Sequence, residues 1–305
     1  MHLKGNSEVL ILVIDDSADV IKHLHSILKD DARIIFATNG LDGLNIAKKR
    51  QPHLIMLDIN MPEMNGYEVC RALKADPQTE LIPVVFVTAH LSISHEIEAI
   101  EAGAVDYITK PINGRLAKAR INAHLTARLH AEMLRVLAVS DGLTGAFNRR
   151  FFDETLAGEV RRHQRSNHPL ALILLDVDYF KPYNDCYGHL KGDECLVAIV
   201  NEMLLAFQRA GEVVARYGGE EFAVILPNTN VEEAKKCGEN IRSKIANLNI
   251  PHINSEVANC VTVSVGVAVK ESTLTICGPD LIKKSDLALY QAKKNGRNQV
   301  MVIEL

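Results

Sequence analysis

The chain has 305 residues, 47% hydrophobic and 24% charged, an ordinary globular composition with length for about two domains. Its net charge of −4 carries no electrostatic footprint for nucleic acid or an anionic membrane surface, so neither is expected as a partner. No apolar run approaches the ~20 residues that span a bilayer, and the start Met1-His2-Leu3-Lys4 lacks a signal-peptide core. A cytoplasmic protein is expected.

The cysteines Cys70, Cys186, Cys195, Cys237, Cys260 and Cys277 contain no Cys-x-x-Cys pair and no metal-ligand spacing. They read as reduced packing residues, with Cys186, two positions after Asn184, as a candidate modifiable thiol. Through the first 110 or so residues, apolar runs alternate with amphipathic stretches. The runs are Val9–Ile14, Ile34–Ala37, Leu54–Leu57, Val84–Val87 and Val105–Ile108. Between them lie the helical patterns Ala18–Lys29, Leu41–Arg50, Tyr67–Ala75 and Ile93–Ala102. This alternation predicts a parallel sheet covered on both faces, with chemistry collected beyond the carboxyl ends of its strands. At those ends stand Asp15, Asp16, Asp58, Thr88 and Lys110. Such a set is costly to gather unless a cation and a phosphoryl group sit among its members.

Residues 7–113 resemble the receiver domain of two-component response regulators, a doubly wound α/β fold. The resemblance implies that Asp58 is the phosphoacceptor, served by a cognate histidine kinase or phosphotransfer protein. It implies that Asp15 and Asp16, with Asp58 and the backbone carbonyl of Asn60, hold Mg²⁺ (or Mn²⁺). Thr88 and Lys110 would bind the phosphoryl oxygens, and Lys110-Pro111 matches the family's frequently cis bond. Tyr107 stands where the family has an aromatic that swings inward on activation; a half-buried edge residue is the equal alternative.

From Arg115 to Val139 there is no glycine or proline, which predicts a helix of roughly 37 Å. Ile121, Leu125, Leu129, Met133 and Leu137 form an apolar stripe, with Leu134 and Val136 alongside. Packing on the preceding domain accounts for the first two turns, and a partner helix from a second subunit for the remainder. The expected division is therefore 1–113, a connector 114–140 that pairs a homodimer, and 141–305.

In the last segment the expected order is helix Phe151–Ser166, strand Leu170–Leu175, helix Glu194–Phe207 and hairpin Val213–Leu226. Helix Glu232–Asn247, strand Val261–Val269 and helix Ile282–Lys294 follow. This predicts an α+β sandwich with helices on one face. The hairpin carries Arg216-Tyr217-Gly218-Gly219-Glu220-Glu221-Phe222, with both glycines expected to supply positive φ. Two adjacent carboxylates at a hairpin tip need free solvent or a cation between them. A second acidic run, Asp176-Val177-Asp178, ends the strand before it. Oxygen donors at a strand end and a hairpin tip suit a hard divalent ion.

Further motifs frame these two: Asp141-Gly142-Leu143-Thr144-Gly145, Asn148-Arg149-Arg150, Tyr179-Phe180-Lys181, Asn184-Asp185, Gly188-His189, Gly192-Asp193-Glu194, and Lys293 with Gly296-Arg297-Asn298. In this order they resemble the GGDEF domain of diguanylate cyclases, in its GGEEF variant, with a palm-like fold. The resemblance implies condensation of two GTP into cyclic di-GMP. Asp176, the carbonyl of Val177, Glu220 and Glu221 would be ligands for Mg²⁺ or Mn²⁺, and Glu220 would assist deprotonation of the 3′-hydroxyl. Asn184 and Asp193 would read guanine, with Phe180 at the pocket. Lys181, Lys293 and Arg297 would bind the β- and γ-phosphates. The family's inhibitory product site, Arg-x-x-Asp, reads Arg209-Ala210-Gly211-Glu212 here, so feedback by cyclic di-GMP rests on Arg209 and Glu212. The alternative from another class is an inactive GGDEF module that binds GTP or cyclic di-GMP and signals by contact.

Overall fold

The computed structural model describes residues 9–89, 93–271 and 277–305. The chain packs as two units, Met1–Leu134 and Arg135–Leu305.

In the first unit the elements run β1 (Leu10–Ile14), α1 (Ala18–Leu28), β2 (Arg33–Ala37), α2 (Gly40–Arg50), β3 (Leu54–Asp58) and α3 (Gly66–Ala75). They continue with β4 (Val84–Thr88), α4 (Ile93–Glu101), β5 (Asp106–Thr109) and α5 (Gly114–Val139). The strands form one parallel sheet in the order β2-β1-β3-β4-β5. Because side chains alternate along a strand, each strand feeds both faces. Leu12, Ile55, Leu57 and Phe86 pack on one side with Val69 and Leu73 of α3. Val13, Leu54, Met56 and Val87 pack on the other with α1 and the start of α5. The sheet's switch point lies between β1 and β3, which brings Asp15 and Asp58 to one crevice.

Helix α5 buries Ala117, Ile121 and Leu125 in this unit. Arg128 donates to the carbonyl of His53 at 3.2 Å. Its attachment to the receiver-like sheet therefore runs about a turn farther than the apolar stripe suggested. Beyond that, Leu129, Met133, Leu134, Val136 and Leu137 are exposed.

The second unit contains α6 (Arg149–Ser166), β6 (Leu170–Val177), α7 (Phe180–Tyr187), α8 (His189–Ala206), β7 (Val213–Gly218) and β8 (Glu221–Pro227). It ends with α9 (Val231–Ala246), β9 (Val263–Lys270), α10 (Gly278–Lys294) and β10 (Val300–Glu304). The sheet order is β10-β9-β6-β8-β7, antiparallel except for the β9–β10 pair. Strand β6 is central and buried at every residue. Ala171, Ile173 and Leu175 meet α8 and α9 on one face, while Leu170, Leu172 and Leu174 meet α6 and α10 on the other.

Three features differ from the sequence reading. Helices cover both faces of the sheet rather than one, and β6, β8 and β9 are accordingly buried along nearly their whole length. Helix α7 is additional; Pro182 masks it in the sequence, yet lies in its first turn, where the amide hydrogen has no intrahelical partner to lose. Strand β10 is a five-residue edge strand near the end of the chain, partly exposed along its length, and the sequence pattern predicts no strand there.

Candidate active site

In the first unit, Asp15, Asp16 and Asp58 each offer an oxygen within 4.8 Å of the others. Asp15 and Asp58 are buried and Asp16 is exposed. Lys110 Nζ bridges two of them, at 3.1 Å from Asp15 Oδ2 and 3.0 Å from Asp58 Oδ1. Burial pushes the Asp58 carboxyl upward, opposed by the Lys110 hydrogen bond and aided by the charges of Asp15 and Asp16. Burial alone would lower Lys110; its hydrogen bonds to Asp58 and Asp15 outweigh that and raise it. Thr88, the last residue of β4, is buried. The Lys110–Pro111 bond is cis. Asn60 is exposed in the loop after β3.

Tyr107 is half-buried, with the Arg120 guanidinium 5.6 Å from its ring centroid. Arg120 also bonds Asp106, which accepts a second bond from His124 at 3.0 Å. These contacts tie β5 to α5 on either side of the aromatic. Neither Asp106 nor Arg120 stood out in the sequence, since an acid and a base that far apart carry no motif.

In the second unit, the antiparallel register sets Asp176 at the end of β6 opposite Glu221 at the start of β8. Gly219 and Glu220 form the two-residue turn between β7 and β8. Positive φ falls on Gly219 alone (+53°), whereas Gly218 closes β7 beside a bulge at Arg216. Glu220 lies in the turn and Glu221 opens β8, so strand alternation does not hold the two on opposite faces. The amide of Val177 donates to Glu220 O at 3.4 Å, joining the strand end to the turn. Asp176 is buried, and burial pushes its carboxyl up to about 6 while Lys293 pulls the other way. Lys293 Nζ lies 2.7 Å from Asp176 Oδ2.

Asp178 has a separate task. It is buried and accepts from Thr262 Oγ1 (2.8 Å), Ser264 Oγ (2.6 Å) and the Asn298 amide (3.1 Å), which fixes the segment after Lys293 and Arg297. Asn184 lies on α7 with Oδ1 buried and unpartnered. A Cβ on Gly192 would collide with that oxygen, so α8 reaches the amide only because residue 192 is glycine. Asp193 is exposed on the next position of α8, and Lys181 is exposed on α7. Phe180 is buried in the core, and its ring tip lies close to the position of a Cβ on Gly192, beside the Asn184 amide. Arg297 is partly exposed and rests on Tyr179.

The family model for the diguanylate cyclase GGDEF domain matches residues 138–299, more than half of the chain. The chain belongs to that family. A response regulator receiver domain precedes it, matched over residues 11–122. Response regulator PleD of Caulobacter vibrioides is 29% identical over 301 residues, covering 95% of this chain and 65% of PleD. Diguanylate cyclase DgcM of Escherichia coli is 31% identical over 285 residues, covering 87% of this chain and 67% of DgcM. The chain thus spans about two thirds of the length of these relatives. The coiled coil and GGDEF domain of DgcB from Caulobacter crescentus, solved with c-di-GMP, matches with a TM-score of 0.55 at 30% identity. It covers 62% of this chain and 97% of that one.

Within this GGDEF domain, Asp141 accepts from the Thr144 amide (2.9 Å) and hydroxyl (2.8 Å), and from Arg216 Nη1 at 3.1 Å. Burial opposes ionisation of Asp141, but these bonds together hold its carboxyl below the ordinary range. Arg216 Nε also donates to Gly219 O at 2.8 Å, so one guanidinium links the turn after α5 to the tip of the glutamate hairpin. The Asp-x-x-Thr spacing is the signal that carried half of this link. Arg209 is exposed, and the carboxylate of Glu212 accepts the backbone amide of Arg209 at 2.9 Å.

All six cysteines are unpaired thiols. Burial pushes Cys70 up to about 11 and Cys195 up to about 12, which makes both poor nucleophiles; Cys186 is exposed. No helix among the described residues is long and apolar enough to cross a membrane.

Proposed function

We propose that this chain is a phosphorylation-regulated diguanylate cyclase that condenses two GTP into cyclic di-GMP with release of two pyrophosphates. Residues 1–113 serve as receiver, 114–140 as dimerising stalk and 141–305 as cyclase. The observation that carries the reading is the register of Asp176 against Glu221, with Glu220 in the adjoining turn and Lys293 on Asp176. A degenerate module that only binds nucleotide would have no need of all three acids.

The donor sets fit Mg²⁺ or Mn²⁺ in both domains. Asp15, Asp16 and Asp58 converge as hard oxygen donors, and Asn60 would complete them with its carbonyl. In the cyclase, Asp176, Val177, Glu220 and Glu221 would supply only oxygens to the ion. When bound there, the cation lowers the pKa of the attacking hydroxyl and offsets charge on the departing pyrophosphate.

The chain's own residues do the rest. Asn184 and Asp193 hydrogen-bond the guanine edge, and the buried, unpartnered amide oxygen of Asn184 supports a polar ligand there. Lys181, Lys293 and Arg297 hold the β- and γ-phosphates as point charges and fork. Glu220 takes the 3′-hydroxyl proton. Asp58 accepts the phosphoryl group, Thr88 and Lys110 bind its oxygens, and Tyr107 carries the change to the surface. A homodimer through the exposed stripe of α5 brings two half-sites together, since each site holds one GTP and the product contains two guanylates.

Incubation of the full chain with GTP and Mg²⁺, with and without acetyl phosphate, followed by chromatography of the nucleotides, tests this directly. Cyclic di-GMP and pyrophosphate in a one-to-two ratio, formed faster with the phosphoryl donor, are expected. Unchanged GTP under both conditions overturns the enzyme reading.

A further inference from the structure

Tyr179 occupies an uncommon backbone conformation for an aromatic residue, with φ +56° and ψ +35° at the N-cap of α7. Its neighbours hold it there. The Tyr179 carbonyl lies 3.0 Å from His252 Nε2 and accepts the Tyr183 amide at 3.0 Å. His252 is buried, and because a carbonyl oxygen only accepts, its Nε2 carries the hydrogen that faces Tyr179. On one side of Tyr179, Asp178 is locked by Thr262, Ser264 and the Asn298 amide. The ring is therefore aimed by a rigid frame built from α7, β9 and the loop before β9.

What it is aimed at is Arg297. The guanidinium carbon lies 4.3 Å from the centroid of the Tyr179 ring, and Nη1 donates to the phenol oxygen at 3.1 Å. The phenol in turn donates to Glu256 Oε2 at 2.8 Å. Glu256 thus accepts the phenol's hydrogen bond and leaves the phenol lone pairs for Arg297. Ring face and phenol oxygen together restrain a side chain that otherwise has several free torsions, while the other guanidinium N–H groups remain to meet an anion.

We infer that Tyr179 is a positioning residue for the triphosphate arm of the site: it presets Arg297, and Glu256 and His252 preset Tyr179. This rests on the reading of Arg297 as a phosphate ligand. Ordering the arginine before nucleotide arrives removes that ordering cost from binding. The benefit accrues to ligands with β- and γ-phosphates and not to the guanine or the α-phosphate.

The test measures binding of two probes to the full chain by titration calorimetry: guanosine 5′-[α,β-methylene]triphosphate, which cannot react, and GMP. Arg297→Ala should weaken the triphosphate probe strongly and leave GMP unchanged. Tyr179→Leu should weaken the triphosphate probe roughly tenfold, again sparing GMP, and raise KM for GTP more than it lowers kcat. Tyr179→Phe, which keeps the ring and the fold, should lose about threefold. In the Arg297→Ala background both Tyr179 changes should have no further effect, as expected when one residue acts only through another. Additive losses, equal losses for GMP, or unaltered affinity in Tyr179→Phe and Tyr179→Leu overturn the positioning role while sparing the function of Arg297. Wild-type affinity in Arg297→Ala overturns the phosphate reading itself, and the inference with it.

Discussion

In the receiver, three carboxylates from two strand ends converge within 4.8 Å and one lysine bridges two of them. In the GGDEF domain, one carboxylate at a strand end faces a hairpin glutamate across the sheet, and one lysine pairs with that single acid. Burial raises the carboxyl it encloses in both places, Asp58 in one and Asp176 in the other. The difference lies in how the acids are gathered. Parallel strands deliver the receiver set from adjacent carboxyl ends, so the sheet alone fixes it. The cyclase set needs a strand register and a tight turn through a glycine with positive φ before its glutamates lie near Asp176.

Breaking each cluster by one acid should separate their roles most sharply. Glu221→Ala removes an anionic donor from the hairpin, and cyclase turnover should fall by about two orders of magnitude or more. Stability should change little, because Glu221 is partly exposed and contributes no apolar core. Thermal melting alongside product assays checks both halves, and full turnover in this variant would remove the hairpin from the active site. Asp58→Asn should do the reverse. Acceleration by acetyl phosphate disappears, while basal turnover without a phosphoryl donor stays within about twofold of wild type. A response that survives Asp58→Asn would place the phosphoacceptor elsewhere.

The receiver was more legible in the sequence than the cyclase, and for a physical reason. A parallel sheet writes its strands as apolar runs and its chemistry at their ends, so Asp15, Asp58, Thr88 and Lys110 could be read off boundaries alone. In the second unit Asp176, Glu220 and Glu221 were legible as acids in unusual places. The division of labour between Asp176 and Asp178 was not, because it depends on Thr262 and Ser264 arriving from β9. Arg216 reaching both Asp141 and Gly219 joins three segments that no local pattern connects.

Helix α5 lets the comparison be sharpened at intermediate scale, since its apolar stripe serves the receiver first and leaves the rest exposed. Leu129 and Leu137 are 47% and 66% exposed, whereas Leu125 is 8% exposed within the receiver core. Leu129→Glu with Leu137→Glu should lower the dimer fraction and reduce specific activity by about tenfold, by removing the effective concentration that a shared stalk provides. The melting temperature of the receiver should hold. Leu125→Glu should instead destabilise the receiver, by about 3–5 kcal/mol for an unpaired buried charge. Sedimentation and product assays at matched concentrations decide it: a monomer with undiminished activity would defeat the dimer mechanism.

The smallest effect is expected at Arg209, in the turn ahead of β7. Glu212 is a methylene longer than aspartate, and its carboxylate already accepts the Arg209 amide at 2.9 Å, closing a tight turn ahead of β7. One oxygen of that carboxylate is thereby committed to the backbone, and if product binds here its recognition would fall on the Arg209 guanidinium. That side chain is exposed, so its removal costs little stability, within about 0.5 kcal/mol. Added cyclic di-GMP should slow the wild-type enzyme, and Arg209→Ala should shift the inhibition curve to about tenfold higher product concentration, the loss of one charge-assisted pair. Uninhibited turnover should be the same in both proteins, because Arg209 is not among the residues proposed for the reaction. Glu212→Ala should shift the curve less than Arg209→Ala, since its bond to the amide orders the turn and does not itself carry the positive charge that product would meet. Superimposable inhibition curves for wild type and Arg209→Ala would make Arg209 a surface charge and leave Glu212 as a turn residue alone.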